Sequence, residues 1–287
     1  MHADQPSHTA WLCAMARARH QFLDGGVVFT DPLAARILGP AQAAAMAADP
    51  GAGEGRIGRM LRGALAARSR IAEDTLADAV LRGAGQCVLL GAGLDTFALR
   101  NPWPERLRVF EVDHPATQAW KRRLVADAGL AAQGRVTWVP VDFEQQEMFD
   151  VLRASGWCAE QATVVVWLGV TVYLTPGRVA HSLRQMGQAL APGSVLVFDF
   201  VRRPARWRLL RRLMLAGLSR RYRRFGEPWQ SYLQETELRR QLGAAGFQAV
   251  EVLDAGWMAR HWLAGQPIPP EHRRLGEWLG GVVRAWR

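Results

Sequence analysis

The chain has 287 residues, 49% of them hydrophobic and 22% charged, a composition that excludes a disordered chain and supplies apolar side chains for a sizeable core. Three cysteines, Cys13, Cys87 and Cys158, are odd in number and widely spaced, which excludes a CxxC redox pair, a zinc ribbon and a disulfide framework and predicts a reducing, cytoplasmic setting. The net charge of +10 is built almost wholly from arginine, Lys121 being the one lysine.

Residues 7–23 carry apolar side chains at helical spacing, and Asp31-Pro32 sets a capping carboxylate before a proline at the first position of a short helix. Residues 42–55 (QAAAMAADPGAGEG) read as a flexible connection. From Arg56 to Arg82 the side chains Ile57, Met60, Leu61, Leu65, Ile71, Leu76 and Val80 recur every three to five residues, as a long amphipathic helix requires. Residues 1–85 thus form a helical cap. No run of 18 apolar residues without charge occurs and the start lacks a basic stretch followed by an apolar core, so neither a membrane span nor a secretory signal is expected.

After Gly85 the pattern changes to short apolar runs separated by helical stretches: QCVLLGAG, LRVFEVD, RVTWVPVD, ATVVVWL, SVLVFDF and FQAVEVLD. Runs that are apolar on both faces fit strands covered by helices on two sides. Pro115 and Pro176 stand where helices should begin after the second and fourth runs, with Thr175 available as an N-cap. The alternation predicts an α/β fold with a doubly wound, mostly parallel sheet. Within one domain, 86–200 form the core, 201–245 an insertion and helix, and 246–287 the C-terminal strands.

The first run ends in Gly91-Ala92-Gly93, and glycines there let backbone approach a ligand. A dinucleotide fingerprint needs a third glycine where Thr96 stands, which disfavours a pyrophosphate cradle. Asp113, at the end of the second run, is placed to accept both hydroxyls of a ribose. Asp142-Phe143, at the end of the third, offers a carboxylate for an exocyclic amine beside an aromatic ring. Three strand ends together describe an adenosine without phosphates.

The strings LLGAGLDT, VFEVDHP, VPVDF and VVWLGVTVYLTP resemble the class I S-adenosylmethionine-dependent methyltransferases of the leucine carboxyl methyltransferase-like group, which includes bacterial polyketide O-methyltransferases. The likeness runs from about residue 7 to the C-terminus. It implies a Rossmann-like seven-stranded sheet with an N-terminal helical cap and a lid insertion, and S-adenosyl-L-methionine as cofactor. It maps the glycine turn to Gly91, Ala92 and Gly93, the ribose carboxylate to Asp113 with His114 beside it, and the adenine-contacting pair to Asp142 and Phe143. Arg70, in ARSRIAED, matches the family arginine that pairs with the methionine carboxylate, and Arg17 is a weaker match facing the cofactor. Leu168 stands where the family has a cofactor-contacting glutamate.

The implied reaction is O-methylation of a small, secondary-metabolite-like acceptor. Ten arginines (Arg202, Arg203, Arg206, Arg208, Arg211, Arg212, Arg220, Arg221, Arg223 and Arg224) fall in the insertion, followed by FGEPWQSYL. They form either a solvated helix face or a surface that attracts an anionic acceptor. Candidate pocket and catalytic residues are His114, Tyr173, Tyr222, Trp229 and Tyr232. A carboxylate acceptor needs no general base, and the motifs offer no strong His/Asp pair, which favours it. A hydroxyl acceptor with His114 as base, and an RNA-binding or RNA-modifying protein on the same fold, remain alternatives.

Overall fold

The computed structural model describes residues 6–143, 145–204, 209–223, 226–262 and 280–287. Seven strands form a mostly parallel sheet in the order β3-β2-β1-β4-β5-β7-β6, where β1 is Gln86–Leu90, β2 Arg108–Asp113, β3 Val136–Pro140, β4 Thr163–Trp167, β5 Val195–Val201, β6 Ala249–Leu253 and β7 Gly280–Trp286. The six runs expected to be strands are strands. The seventh, β7, pairs antiparallel with both β5 and β6.

The chain divides into two compact units: residues 3–74 with 85–157, and 75–84 with 158–287. In the first unit β1, β2 and β3 pair in parallel, Leu90 opposite Val112 and Asp113 opposite Pro140, so the glycine turn and the two acidic strand ends fall at one edge of the strands. All five residues of β1 are buried, as its uninterrupted apolar run requires.

Helix α1 (His8–Leu23) starts at Ser7, whose Oγ accepts from Ala10 N. The short helix expected after Asp31-Pro32 is a turn capped by Asp31 Oδ1, which accepts from Leu33 N, leading into a 3-10 turn at Arg36–Leu38. One expectation needs correction: the 42–55 stretch is not all connection, because α2 (Pro40–Ala48) occupies its first half. Pro40 stands at the first helical position and the alanines that follow carry the highest helix propensity of any residue. The long helix α3 (Arg56–Leu81) forms as its periodicity dictates. Helix α4 (Pro115–Asp127) follows β2 with the expected proline at its start, and α5 (Met148–Ala154) follows β3.

In the second unit β4 and β5 pair in parallel. Helix α6 (Pro176–Ala189) is capped by Thr175 Oγ1, which accepts from Arg178 N. Helices α7 (Leu209–Arg223), α8 (Glu235–Ala244) and α9 (Ala255–Trp262) complete it. Gly187 of α6 lets α6 and α8 approach closely, since a Cβ there would lie 1.9 Å from the carbonyl oxygen of Ala245. Backbone cannot yield as a flexible side chain can. Gly187→Ala is therefore expected to lower stability by about 1–3 kcal/mol despite alanine's better helix propensity. A denaturant midpoint equal to wild type would show that the close approach carries no weight.

Candidate functional site

The site is built on the first unit, where the chain leaves β1. Gly91 (φ +65°) and Gly93 (φ +48°) both take left-handed backbone that side-chain-bearing residues rarely adopt, and both Gly91 N and Ala92 N donate to Val112 O. A Cβ on Gly93 would meet the Ala10 Cβ at 3.0 Å, so α1 packs directly on the turn.

Asp113 closes this turn. Its Oδ2 accepts from Gly93 N at 2.5 Å and its Oδ1 from His114 N at 2.7 Å, and the residue is only 8% exposed. Burial pushes the Asp113 carboxyl above its ordinary value, opposed by these two backbone donors and by the charge of Lys121. A carboxylate has about four lone-pair sites, so each oxygen keeps capacity for one further donor. The backbone oxygen of Asp113 accepts from Val141 N, which fixes the β3 end, with Asp142 and Phe143, beside the β2 end. Asp142 Oδ2 accepts from Gln145 Nε2, and both Asp142 and Phe143 are half-buried.

Behind the turn lies an ion network that spacing along the chain does not reveal. Arg17 on α1 donates to Leu94 O and lies 3.5 Å from Asp31 and 3.6 Å from Asp95. Asp31, fully buried, also accepts from Thr96 Oγ1 at 2.7 Å and faces Arg100 at 3.5 Å, while Arg100 pairs with Glu73 on α3. Burial opposes ionisation of Asp95, but Arg17, Lys121 and Arg100 outweigh it and hold its carboxyl below the usual range. Arg17 thus grips the loop that follows Gly91-Ala92-Gly93.

Arg70 is exposed on α3, and its Nε donates to both oxygens of Asp74 one helical turn on, at 2.7 Å. The contacts described link Arg17, Gly91, Ala92, Gly93, Asp113 and His114 and set the β3 end, with Asp142 and Phe143, beside them. His114 is the N-cap of α4. Its Nδ1 accepts from Ala116 N.

In the second unit, the turn after β4 carries half-buried Leu168 and then Gly169 (φ +71°), whose N–H donates to Asp199 Oδ1 of β5 at 2.6 Å. A carboxylate therefore stands at this turn although no acid occupies position 168. The segment 229–232 lies along the residues after β4: Gln230 N donates to Val172 O, Gln230 Nε2 to Tyr173 O, and Ser231 Oγ to Leu174 O. Tyr222 and Trp229 stack with ring centroids 5.6 Å apart, and Ser219 Oγ donates to Trp229 O. Burial raises the Tyr232 hydroxyl, with a hydrogen bond to Ser219 opposing. Tyr222 and Trp229 thus form a stacked pair, with Ser219 between Trp229 and Tyr232.

Of the arginine cluster, Arg212, Arg220 and Arg223 on α7 are exposed, and Arg203 Nε donates to Tyr232 O while Arg202 faces Glu235. Arg206, Arg208 and Arg224, with the side chains of Arg211 and Arg221, lie outside the described residues. Among the described residues no group of three His, Cys, Asp or Glu could hold a metal ion, and no helix is long and apolar enough to cross a membrane.

The leucine carboxyl methyltransferase family model matches residues 10–187, which include the glycine turn, both acidic strand ends and the turn after β4. The chain belongs to this family. A Saccharopolyspora erythraea protein named for S-adenosyl-L-methionine-dependent methyl transfer is 30% identical over 67% of this chain and 67% of its own length. YktD of Bacillus subtilis (strain 168), named likewise, is 41% identical over 47% of this chain and 44% of its own. The chain spans about half the length of several curated relatives it matches. Among solved structures, a Thermobifida fusca YX protein described as a methyltransferase superposes with a TM-score of 0.57 at 20% identity, covering 99% of this chain and 96% of that one. At that identity the likeness concerns the fold.

Proposed function

We propose that this member of the family binds S-adenosyl-L-methionine on the first unit and transfers its methyl group to the oxygen of a small anionic acceptor. The observation that carries the cofactor half is the Asp113 carboxylate: buried, oriented by two backbone N–H groups, and left with an acceptor position on each oxygen for a ribose diol. The names of the relatives support the same cofactor. The glycine turn fits it too, because backbone without Cβ atoms can come close to a ligand. When bound, the cofactor supplies a methyl group activated by a sulfonium. Asp113 would hold the ribose and the Asp142-Phe143 pair the adenine, while Arg17, through Leu94, Asp31 and Asp95, keeps the turn in place.

The exposed arginines support the acceptor half: an acceptor that suits them arrives already deprotonated, as a carboxylate does at neutral pH, and needs no general base. The protein's work is then alignment and exclusion of water, which contribute roughly 7–11 kcal/mol in well-oriented reactions. The arginines add long-range attraction. Since Arg212, Arg220 and Arg223 face solvent, replacing all three with glutamine is expected to raise the acceptor KM several-fold at low salt, leave cofactor affinity unchanged, and make no difference at high salt, where charges are screened within a few Å. The assay is methylation of a panel of carboxylic acids and phenols with labelled cofactor. Exclusive methylation of uncharged phenols, insensitive to salt, would overturn the carboxylate reading.

A further inference from the structure

Lys121 is the one lysine among 36 lysines and arginines, and it is 1% exposed. From α4 its Nζ donates to Glu111 Oε2 at 2.6 Å, and it lies 5.6 Å from the centroid of Trp138 on β3. Glu111, also 1% exposed, has its second oxygen, Oε1, buried without a hydrogen-bond partner. Glu111 and Asp113 are two residues apart on β2, so their side chains leave the same face of the sheet. Two buried carboxylates on one face cannot both stay ionised without a nearby cation. An ammonium places a compact point charge here, bonded to Glu111 Oε2, whereas a guanidinium is larger and would bring five donors into the buried site.

We propose that Lys121 is a positioning residue for cofactor binding: it supplies the buried positive charge that allows Glu111 and Asp113 to share one face of β2 with Asp113 left as the acceptor for the ribose. This rests on the ribose reading of Asp113. Burial raises Glu111 to about 7 and raises Asp113 as well, and the charge of Lys121 pulls both down. The charged and titratable groups around Asp113 are Lys121 from α4, His114 beside it, Glu111 on its own strand and Asp142 after β3, with Asp95, from the loop after β1, also within the field of Lys121.

The test is S-adenosylmethionine affinity from pH 5 to 9, with circular dichroism as the control for folding. Binding requires ionised Asp113, so wild-type affinity falls as pH drops through the Asp113 titration. Lys121→Met, and the double variant Lys121→Met with Glu111→Gln, lack the cation; the fall should move up by roughly one pH unit, making binding within it about tenfold weaker. Glu111→Gln alone keeps the cation and should show no upward move. If Lys121→Met fails to fold, the double variant, which leaves no unpaired buried charge, carries the test. A folded double variant with the wild-type profile, or Glu111→Gln moving up as far as Lys121→Met, would overturn the role of Lys121. Asp113→Asn separates the two readings: wild-type affinity in that variant overturns the ribose assignment itself, whereas weak, pH-independent binding there beside unmoved Lys121 variants overturns only the positioning role.

Discussion

Replacing Asp113 with alanine is expected to weaken S-adenosylmethionine binding by at least tenfold. Each hydrogen bond from a ribose hydroxyl to an ionised acceptor is worth about 1.5–3 kcal/mol, and about 1.4 kcal/mol is a factor of ten, so loss of even one reaches that mark. The same change frees the N–H groups of Gly93 and His114 that Asp113 now accepts from, loosening the glycine turn as well. Equilibrium dialysis with labelled cofactor, on protein shown to be folded, measures the ratio. Equal affinity in the variant and wild type would remove Asp113 from the site.

The largest expected effect on stability is at Asp31. It is fully buried, accepts from Thr96 Oγ1 and Leu33 N, and faces the guanidinium groups of both Arg17 and Arg100. Asp31→Ala leaves those cations short of a counter-charge in a low-dielectric setting. Removing one partner of a buried ion pair costs about 3–5 kcal/mol, well above the typical point mutation. Because Arg17 grips Leu94 and faces Asp95, cofactor affinity should fall with stability. Thermal and urea unfolding check the first effect and dialysis the second. An unfolding free energy within 1 kcal/mol of wild type would mean that the network is solvated and makes no contribution to holding the turn.

The strands were legible in the sequence because each is a short apolar run bounded by turn residues, and β1 through β3 carry their site residues at their ends, where period and punctuation coincide. Gly91, Gly93 and Asp113 meet in the structure for that reason. Helix α2 was obscured by the glycines and proline that follow it, and β7 begins in two glycines and holds its place through pairing with β5 and β6. The network of Arg17, Asp31, Glu73, Asp95 and Arg100 draws on α1, α3, the chain after α1 and the loop after β1, so no local pattern could assemble it. Glu111 and Lys121, ten residues apart on a strand and the next helix, had one signal: a lone lysine in an arginine-rich chain. The match of Arg70 rests on resemblance alone, and the structure adds its pairing with Asp74 on α3.

The most direct measurement is a calorimetric titration of the full chain with S-adenosylmethionine. Saturable binding with one site per chain is the predicted result. Absence of binding at millimolar cofactor by protein that circular dichroism shows to be folded would contradict the proposal that the strand ends at Gly91, Asp113 and Asp142 hold an adenosyl group.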